Sequence, residues 1–301
     1  MADITRAEVA SLIGEAYAGT ILSSAEAGST ALQAFPTYNM GTKTTHIPVL
    51  ATLPTASWVT DTDNSGVKPT SQVTWADKTL VAEEVAVIIP IHENTLDDAT
   101  EDILAEIAMQ GGQAIGKALD AAVFFGTNKP ASWTSADLLS AASGATQAFE
   151  VNTTTGADDL YGQMLVAAGT LADEGFEPTT AIARNSLRYN LRNLRENSTG
   201  APILVDGVLS DFDTYWNKNG AWDADSAHAF IVDPSRVRIG VRQDVTVKFL
   251  DQATLTGVGN LAEKDMVALR FKARYAYVLG TGATSVGAAK VPVASVVPAG
   301  S

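Results

Sequence analysis

With 301 residues, 46% of them hydrophobic, the chain is long enough for one or two domains and apolar enough for a packed core, which excludes a disordered or fibrous protein. It contains no cysteine, so disulfides and thiolate metal sites are excluded. The net charge of -14 argues against a duplex-DNA binder, whose affinity comes from neutralising phosphates with Lys and Arg.

The N-terminal stretch MADITRAEVASLIGEAY lacks the basic flank and apolar run of a secretory signal. No window approaches the roughly 20 apolar residues of a membrane span, so the chain reads as soluble and membrane-free. Its charge is lopsided: residues 1–126 hold 16 acids and 5 bases, residues 127–301 hold 18 and 15. If copies pack front half against back half, that asymmetry helps fix their register.

Thr5 and Glu8 have capping-box spacing, and Ala7, Val9, Leu12, Ile13, Ala16, Tyr17 and Ile21 give a helical apolar pattern, an N-terminal arm too short to be stable alone. Next come two β-branched stretches, HIPVLATL (46–53) and SQVTWADKTLVAEEVAVIIPI (71–91), on either side of a turn-forming tip, Asp61–Gly66. Pro48, Pro54, Pro69 and Pro90 suit edges and strand ends. Together they predict a projecting ribbon over residues 42–91. A two-stranded ribbon standing alone in water is marginal, so it is expected to lie on something else, most simply another copy of the chain.

From Asn94 or Thr95 to Phe125 the period is helical, with Leu96, Ala99, Ile103, Ile107, Ile115, Leu119 and Val123 near one face and Gly126 placed to end the run. Gly111-Gly112 near its middle predicts a bend or a close crossing. A polar stretch, 128–156, leads to an α/β module. In it Asp158 or Asp159 caps a helix through Leu171, TTAIA (179–183) and AHAFIVDP (227–234) are strands, and Asn185 starts a helix bearing Leu187, Leu191 and Leu194. The period then becomes two. Val237 to Phe249 and Val267 to Tyr277 alternate apolar residues with Arg236, Arg238, Arg242, Lys248, Arg270, Lys272 and Arg274, which predicts two strands of about fourteen residues covering the long helix. KVPVASVVPA (290–299) is a final strand.

Catalytic and metal chemistry find little footing. Asp61, Asp63, Ser65 and Gly66 open like a calcium loop, but Gln72 stands where a bidentate glutamate is needed. Gly257-Val258-Gly259-Asn260-Leu261-Ala262 satisfies a loose dinucleotide pattern, but a strand follows instead of a helix. His46, His92 and His228 are not at ligand spacing, and no G-x-S-x-G elbow occurs. No catalytic residue, cofactor or metal ligand is expected.

The order of parts carries the function. A helical arm, a ribbon ending in IHENTLDDA, a long helix ending in ALDAAVFFG, an α/β module, and the strands GVRQDVTVKF and ALRFKARYAYVLG resemble, over nearly the whole chain, the major capsid proteins of tailed bacteriophages with the Hong-Kong-97-type α+β fold. The resemblance implies an N-terminal arm (1–42), an extended β-ribbon loop (43–92), a peripheral domain of spine helix and long strands (93–156 and 236–288) and an α/β axial domain (157–235 and 289–301). It implies self-assembly as pentamers and hexamers into an icosahedral shell, built in the bacterial host cytoplasm and enclosing double-stranded DNA without sequence specificity. Implied partners are further copies, a portal and a decoration protein. Some family members carry an acidic scaffolding extension before the arm; here the arm starts within a few residues of Met1, so either a separate scaffold protein is expected or the sequence is an already processed form, and Met1 favours the former.

Arg184, Arg188, Arg192 and Arg195, spaced four, four and three, are expected within about 80° of one helix face. They either meet an acidic neighbour, scaffold or DNA, or form a solvated face of weak ion pairs. With Lys68 on the ribbon and Arg270 and Arg274 on the second long strand, they are the candidate subunit contacts. Lys68 and Lys78 are also loop lysines of the kind some family members crosslink, but no partner motif accompanies them. Two other functions share parts of the pattern: an encapsulin-like nanocompartment shell, and a soluble hydrolase or binding protein with a decorative ribbon.

Overall fold

The computed structural model describes residues 28–58, 68, 70–97, 103–151, 157–192, 204–205, 208–209 and 212–299. The expected arm helix, the ribbon tip at Asp61–Gly66 and Arg195 lie outside these residues.

The described chain opens with a short helix α1 (Thr30–Ala34) and strand β1 (Thr37–Asn39). Strands β2 (Thr44–Thr52) and β3 (Thr74–Val81) pair antiparallel from Thr44–Val81 to Thr52–Thr74 and form the ribbon. After Ala82, strand β4 (Glu83–His92) leaves it. Helix α2 (Glu93–Asp97) is separated by undescribed residues from the long helix α3 (Ile103–Phe125). The stretch read as polar connection contains helix α4 (Leu138–Gly144), capped by Asp137 through Ser140 N, and strand β5 (Ala148–Glu150).

Helix α5 (Ala157–Asp173), strand β6 (Thr180–Arg184), helix α6 (Leu187–Leu191), the small hairpin β7 (Leu204–Val205) and β8 (Val208–Leu209), and strands β9 (Asp213–Asn217) and β10 (Ala229–Val232) make the α/β module. The long strand β11 (Val237–Leu250) is followed by a minor hairpin, β12 (Thr254–Leu255) and β13 (Gly259–Asn260). The second long strand β14 (Met266–Leu279), the hairpin β15 (Gly282–Thr284) and β16 (Gly287–Lys290), and β17 (Val293–Val297) complete the fold.

Two sheets organise it. The spine sheet has the order β1-β11-β14-β4, with both long strands fourteen residues as the alternation predicts. The second has the order β5-β17-β10-β6-β9. Along β14, Phe271, Ala273, Tyr275 and Tyr277 are buried while Arg270, Lys272 and Arg274 are half-buried on the other face, the period-two result of covering one face with α3. The second sheet is covered on both faces. Ile182, Phe230 and Val293 join the core under the spine, and Ala183, Ile231 and Val296 pack with Leu160, Met164 and Leu171 of α5. Such strands read as nearly continuous apolar runs, as AFIV and, apart from Ser295, VASVV do.

Gly111 explains itself in this packing. A Cβ there would stand 2.8 Å from Phe271 Cδ2 and Cε2, so the close crossing is real and the glycine is what lets helix and sheet approach.

Two expectations need correction. The ribbon does not extend to residue 92: β4 pairs with β14 from Met266–His92 to Tyr275–Glu83, because Val85, Val87, Ile89 and Ile91 form an alternating apolar row that the spine core can bury. The polar stretch 128–156 is not a mere connection. Its seven-residue helix is short and rich in Ala and Ser, and β5 is a three-residue edge strand running parallel to β17, so neither leaves a periodic trace.

Candidate subunit-contact surfaces

The ribbon is anchored at its base and again midway, where Val49 and Leu50 pack so closely on Gly282 of β15 that a Cβ there would meet the Leu50 carbonyl at 2.9 Å. At the base, Leu80 and Ala82 are buried with Met40, Ala276 and Val278, and a Cβ on Gly240 would meet Leu80 at 2.9 Å, so β3 rests tightly on the spine sheet there. Several apolar residues farther out stay open to solvent: Trp75, which borders a groove with Arg238 and Val278, is 65% exposed and Trp58 98%, with Leu53 and Val73 also exposed. Scattered exposed hydrophobics are ordinary, but two indoles on one two-stranded projection form a surface that a partner would bury. Lys68 is exposed on the β3 side of the tip.

The outward face of the spine sheet is basic. Arg270 pairs in register with Lys248 on β11 and Ile88 on β4, and Lys272 and Arg274 follow on the same face. Glu84 supplies a countercharge to Lys272 at 2.6 Å, and Arg274 Nη2 donates to the Ala82 carbonyl at 3.3 Å. Arg270 Nε is buried and has no hydrogen-bond partner among the described residues. Arg270 and Arg274 thus sit on one strand face, as the alternation predicts.

The arginine cluster is different from its expectation. Arg184 ends strand β6, Arg188 lies in α6, and Arg192 is that helix's C-cap, so the three do not share a continuous helix face. The apolar run TAIA is carried into the sheet one residue past the expected end, and α6 spans only five residues. Arg184 is instead half-buried beside His228, whose pKa falls below the ordinary 6.5, first through burial and then through the nearby guanidinium.

One polar centre escaped the sequence reading. Asp120, fully buried on α3, accepts five hydrogen bonds: from Ser29 Oγ at 2.7 Å, Thr30 N at 2.8 Å, Ala31 N at 3.0 Å, Asn217 Nδ2 at 3.0 Å and Asn219 Nδ2 at 2.8 Å. It caps α1 from across the fold while Ser29 Oγ accepts from Leu32 N, and it joins arm, spine helix and the end of β9. Burial pushes its carboxyl above the usual 3.8, and the hydrogen bonds from Ala31, Ser29, Thr30 and Asn219 pull it back. The visible trace was an acid inside the apolar run ALDAAVFF. Among the described residues no cluster of His, Asp and Glu could hold a metal, and no helix is long and apolar enough to cross a membrane.

A ribbon that keeps two tryptophans exposed, a spine helix under a four-stranded sheet, and a five-stranded module set beside them define a shell subunit of the Hong-Kong-97 type. Comparison with known proteins agrees. The model of the phage capsid family matches residues 11–281. A solved chain from Mycobacterium phage Bobi is 60% identical, with 100% of both chains covered and a TM-score of 0.82. One from Mycobacterium phage Adephagia is 56% identical over 100% of this chain and 99% of that one, also at TM-score 0.82. One from Microbacterium phage Oxtober96 is 42% identical over 90% and 91%, at TM-score 0.78. The capsid of an empty GTA particle, at 14% identity and TM-score 0.59 over 89% of each chain, shares the fold. No curated protein sequence matches significantly. The chain belongs to the phage capsid family, and its function is that of a tailed-phage major capsid protein.

Proposed function

We propose that the chain assembles as pentamers and hexamers into a closed icosahedral shell around double-stranded DNA, each ribbon lying across a neighbouring copy. The observation that carries this reading is the ribbon itself: a two-stranded projection, marginal alone in water, that keeps Trp75 at 65% exposure while its base is locked to the spine sheet. In this reading the ribbon is the extended loop, α3 with the spine sheet is the peripheral domain, and the five-stranded module is the axial domain. The acid-rich front half meets the back half, which carries 15 of the 20 bases, with Arg270 and Arg274 on the spine sheet, Arg184, Arg188 and Arg192 on the axial module, and Lys68 on the ribbon as contacts. Arg195 belongs with them by sequence position. The other partners are a separate scaffold protein, a portal, packaged DNA held without sequence specificity and a decoration protein, and the subunit has no catalytic task.

The test is assembly without loss of folding. Trp75→Ser, and separately Arg188→Glu with Arg192→Glu, leave the unfolding transition of the subunit in place and abolish closed particles in electron micrographs of the co-expressed gene set. Normal particle yields from both variants would remove the ribbon and the axial module from the contact set.

A further inference from the structure

Where α1, α3 and the end of β9 meet, the subunit carries a groove of about 530 Å³ whose described lining contains no carboxylate. Gln110, Gln113 and Lys117 run along one side, three and four residues apart on a single helix face, a row about 10 Å long. Gln33 comes from α1, and Trp216 and Lys218 come from the β9 side. A Cβ on Gly220 would lie 3.6 Å from Lys117 Nζ, so this ammonium reaches across to the turn that follows Lys218. The two cations therefore converge on one groove from different elements.

Their charge is not spent inside the subunit. The ion pairs among the described residues use Lys43, Lys129, Lys272 and Lys290, and neither Lys117 nor Lys218 is among them. The neighbouring acids lie outside the lining, although one of them holds an amide hydrogen of Gln110. Glu106 accepts from Gln110 Nε2 at 2.9 Å, and Asp120 is buried beneath the floor among its five donors. On a chain of net charge -14, two exposed lysines beside a described lining free of carboxylates make this groove a local basic site open to an anion.

We propose that this groove is a contact site for the phosphodiester backbone of nucleic acid. Lysine and glutamine donors take phosphate oxygens without reading bases, and a half-buried indole offers a flat surface to sugar or base, the combination used by sequence-indifferent binders. A row of about 10 Å spans more than one phosphate at 3.4 Å of rise per nucleotide. An acidic peptide would also satisfy the lysines and the amides; the indole, a stacking surface for a base, is what favours nucleic acid. One groove on an acidic subunit binds weakly, and a shell multiplies it over every copy. The inference rests on the shell reading, because enclosure is what brings a polyanion to each subunit.

The experiment titrates a labelled 20-base-pair duplex with the unassembled full-length chain and with Lys117→Gln/Lys218→Gln, from 50 to 200 mM salt, beside a parallel titration with polyglutamate. Two neutralised phosphates contribute about 1.8 to the slope of log affinity against log salt, so over this range the parent loses about twelvefold more affinity than the variant. Both lysines are exposed, so unchanged circular dichroism is expected of the variant. Equal affinity and equal slope in parent and variant overturn the site. Polyglutamate binding as tightly as the duplex, with the same loss in the variant, overturns it in favour of an acidic protein segment. Failure of the parent to form shells would refute the shell reading and leave the slope difference standing, so the two failures are distinguishable.

Discussion

Replacing Asp120 with asparagine keeps the side chain's size and turns one of its two acceptor oxygens into a donor. Oδ2 accepts from Thr30 N, Asn217 Nδ2 and Asn219 Nδ2, and Oδ1 accepts from Ser29 Oγ and Ala31 N. Whichever way the new amide turns, at least two buried donors face an NH2 group. Each donor left unpaired costs about 1–3 kcal/mol, and losing a helix cap costs about 0.5–2 kcal/mol. Local relaxation and water recover part of this, so we expect a loss of about 3–5 kcal/mol, the range seen when one member of a buried charged network is removed. Against a total of about 5–15 kcal/mol, that is a large share. Asp120→Ala should lose a similar amount, and Asn219→Ala about 2–3 kcal/mol, since it removes a charge-assisted bond to the carboxylate together with bonds to the Gly28 carbonyl and from Ala221 N. The assay is urea unfolding of the unassembled subunit, followed by tryptophan emission, with buried Trp133 as one reporter. An Asp120→Asn midpoint within error of the parent would refute the reasoning, because it would mean that the five donors find other partners at no cost.

Gly111→Ala should destabilise the subunit by up to about 2 kcal/mol: a helical gain of about 1 kcal/mol is outweighed by about 1–3 kcal/mol of overpacking against Phe271. Gly169→Ala in α5, where a Cβ meets nothing within 4 Å, should stabilise by about 1 kcal/mol, and thermal melts in which both variants gain equally would contradict the crossing. His228 is held below its ordinary 6.5, so its contribution to stability is complete above pH 6.5 and is lost as pH falls through the lowered folded value. His228→Asn should flatten that part of the profile, and an unchanged acid limb would show that another group carries it.

The elements with long, clean periods were legible in the sequence. Val237 to Phe249 and Val267 to Tyr277 alternate because α3 covers one face only, and the apolar runs around Ile182 and Phe230 are unbroken because both faces are covered. Gly111 was readable as a crossing because glycine inside a strong helix needs a reason. What failed was short or non-local. A single residue, Ala82, separates ribbon from spine strand, and no propensity marks it; the division is made by β14, some 190 residues later. The arginine face assumed that the helix began at Asn185 and ran on, whereas Arg184 belongs to the sheet and α6 stops at Leu191. The polar centre joins residues about 90 to 100 positions apart, and only Asp120's place within an apolar helix run hinted at it.

The most direct test of the account is a cryo-electron microscopy reconstruction of the particles formed when the chain is expressed with its neighbouring genes. The account predicts a closed shell of five- and six-membered rings in which β2 and β3 of one copy lie on the next and Trp75 is buried between them. A subunit that stays monomeric beside its neighbouring genes, or a shell in which the ribbon folds back on its own chain and Trp75 faces solvent, would contradict it.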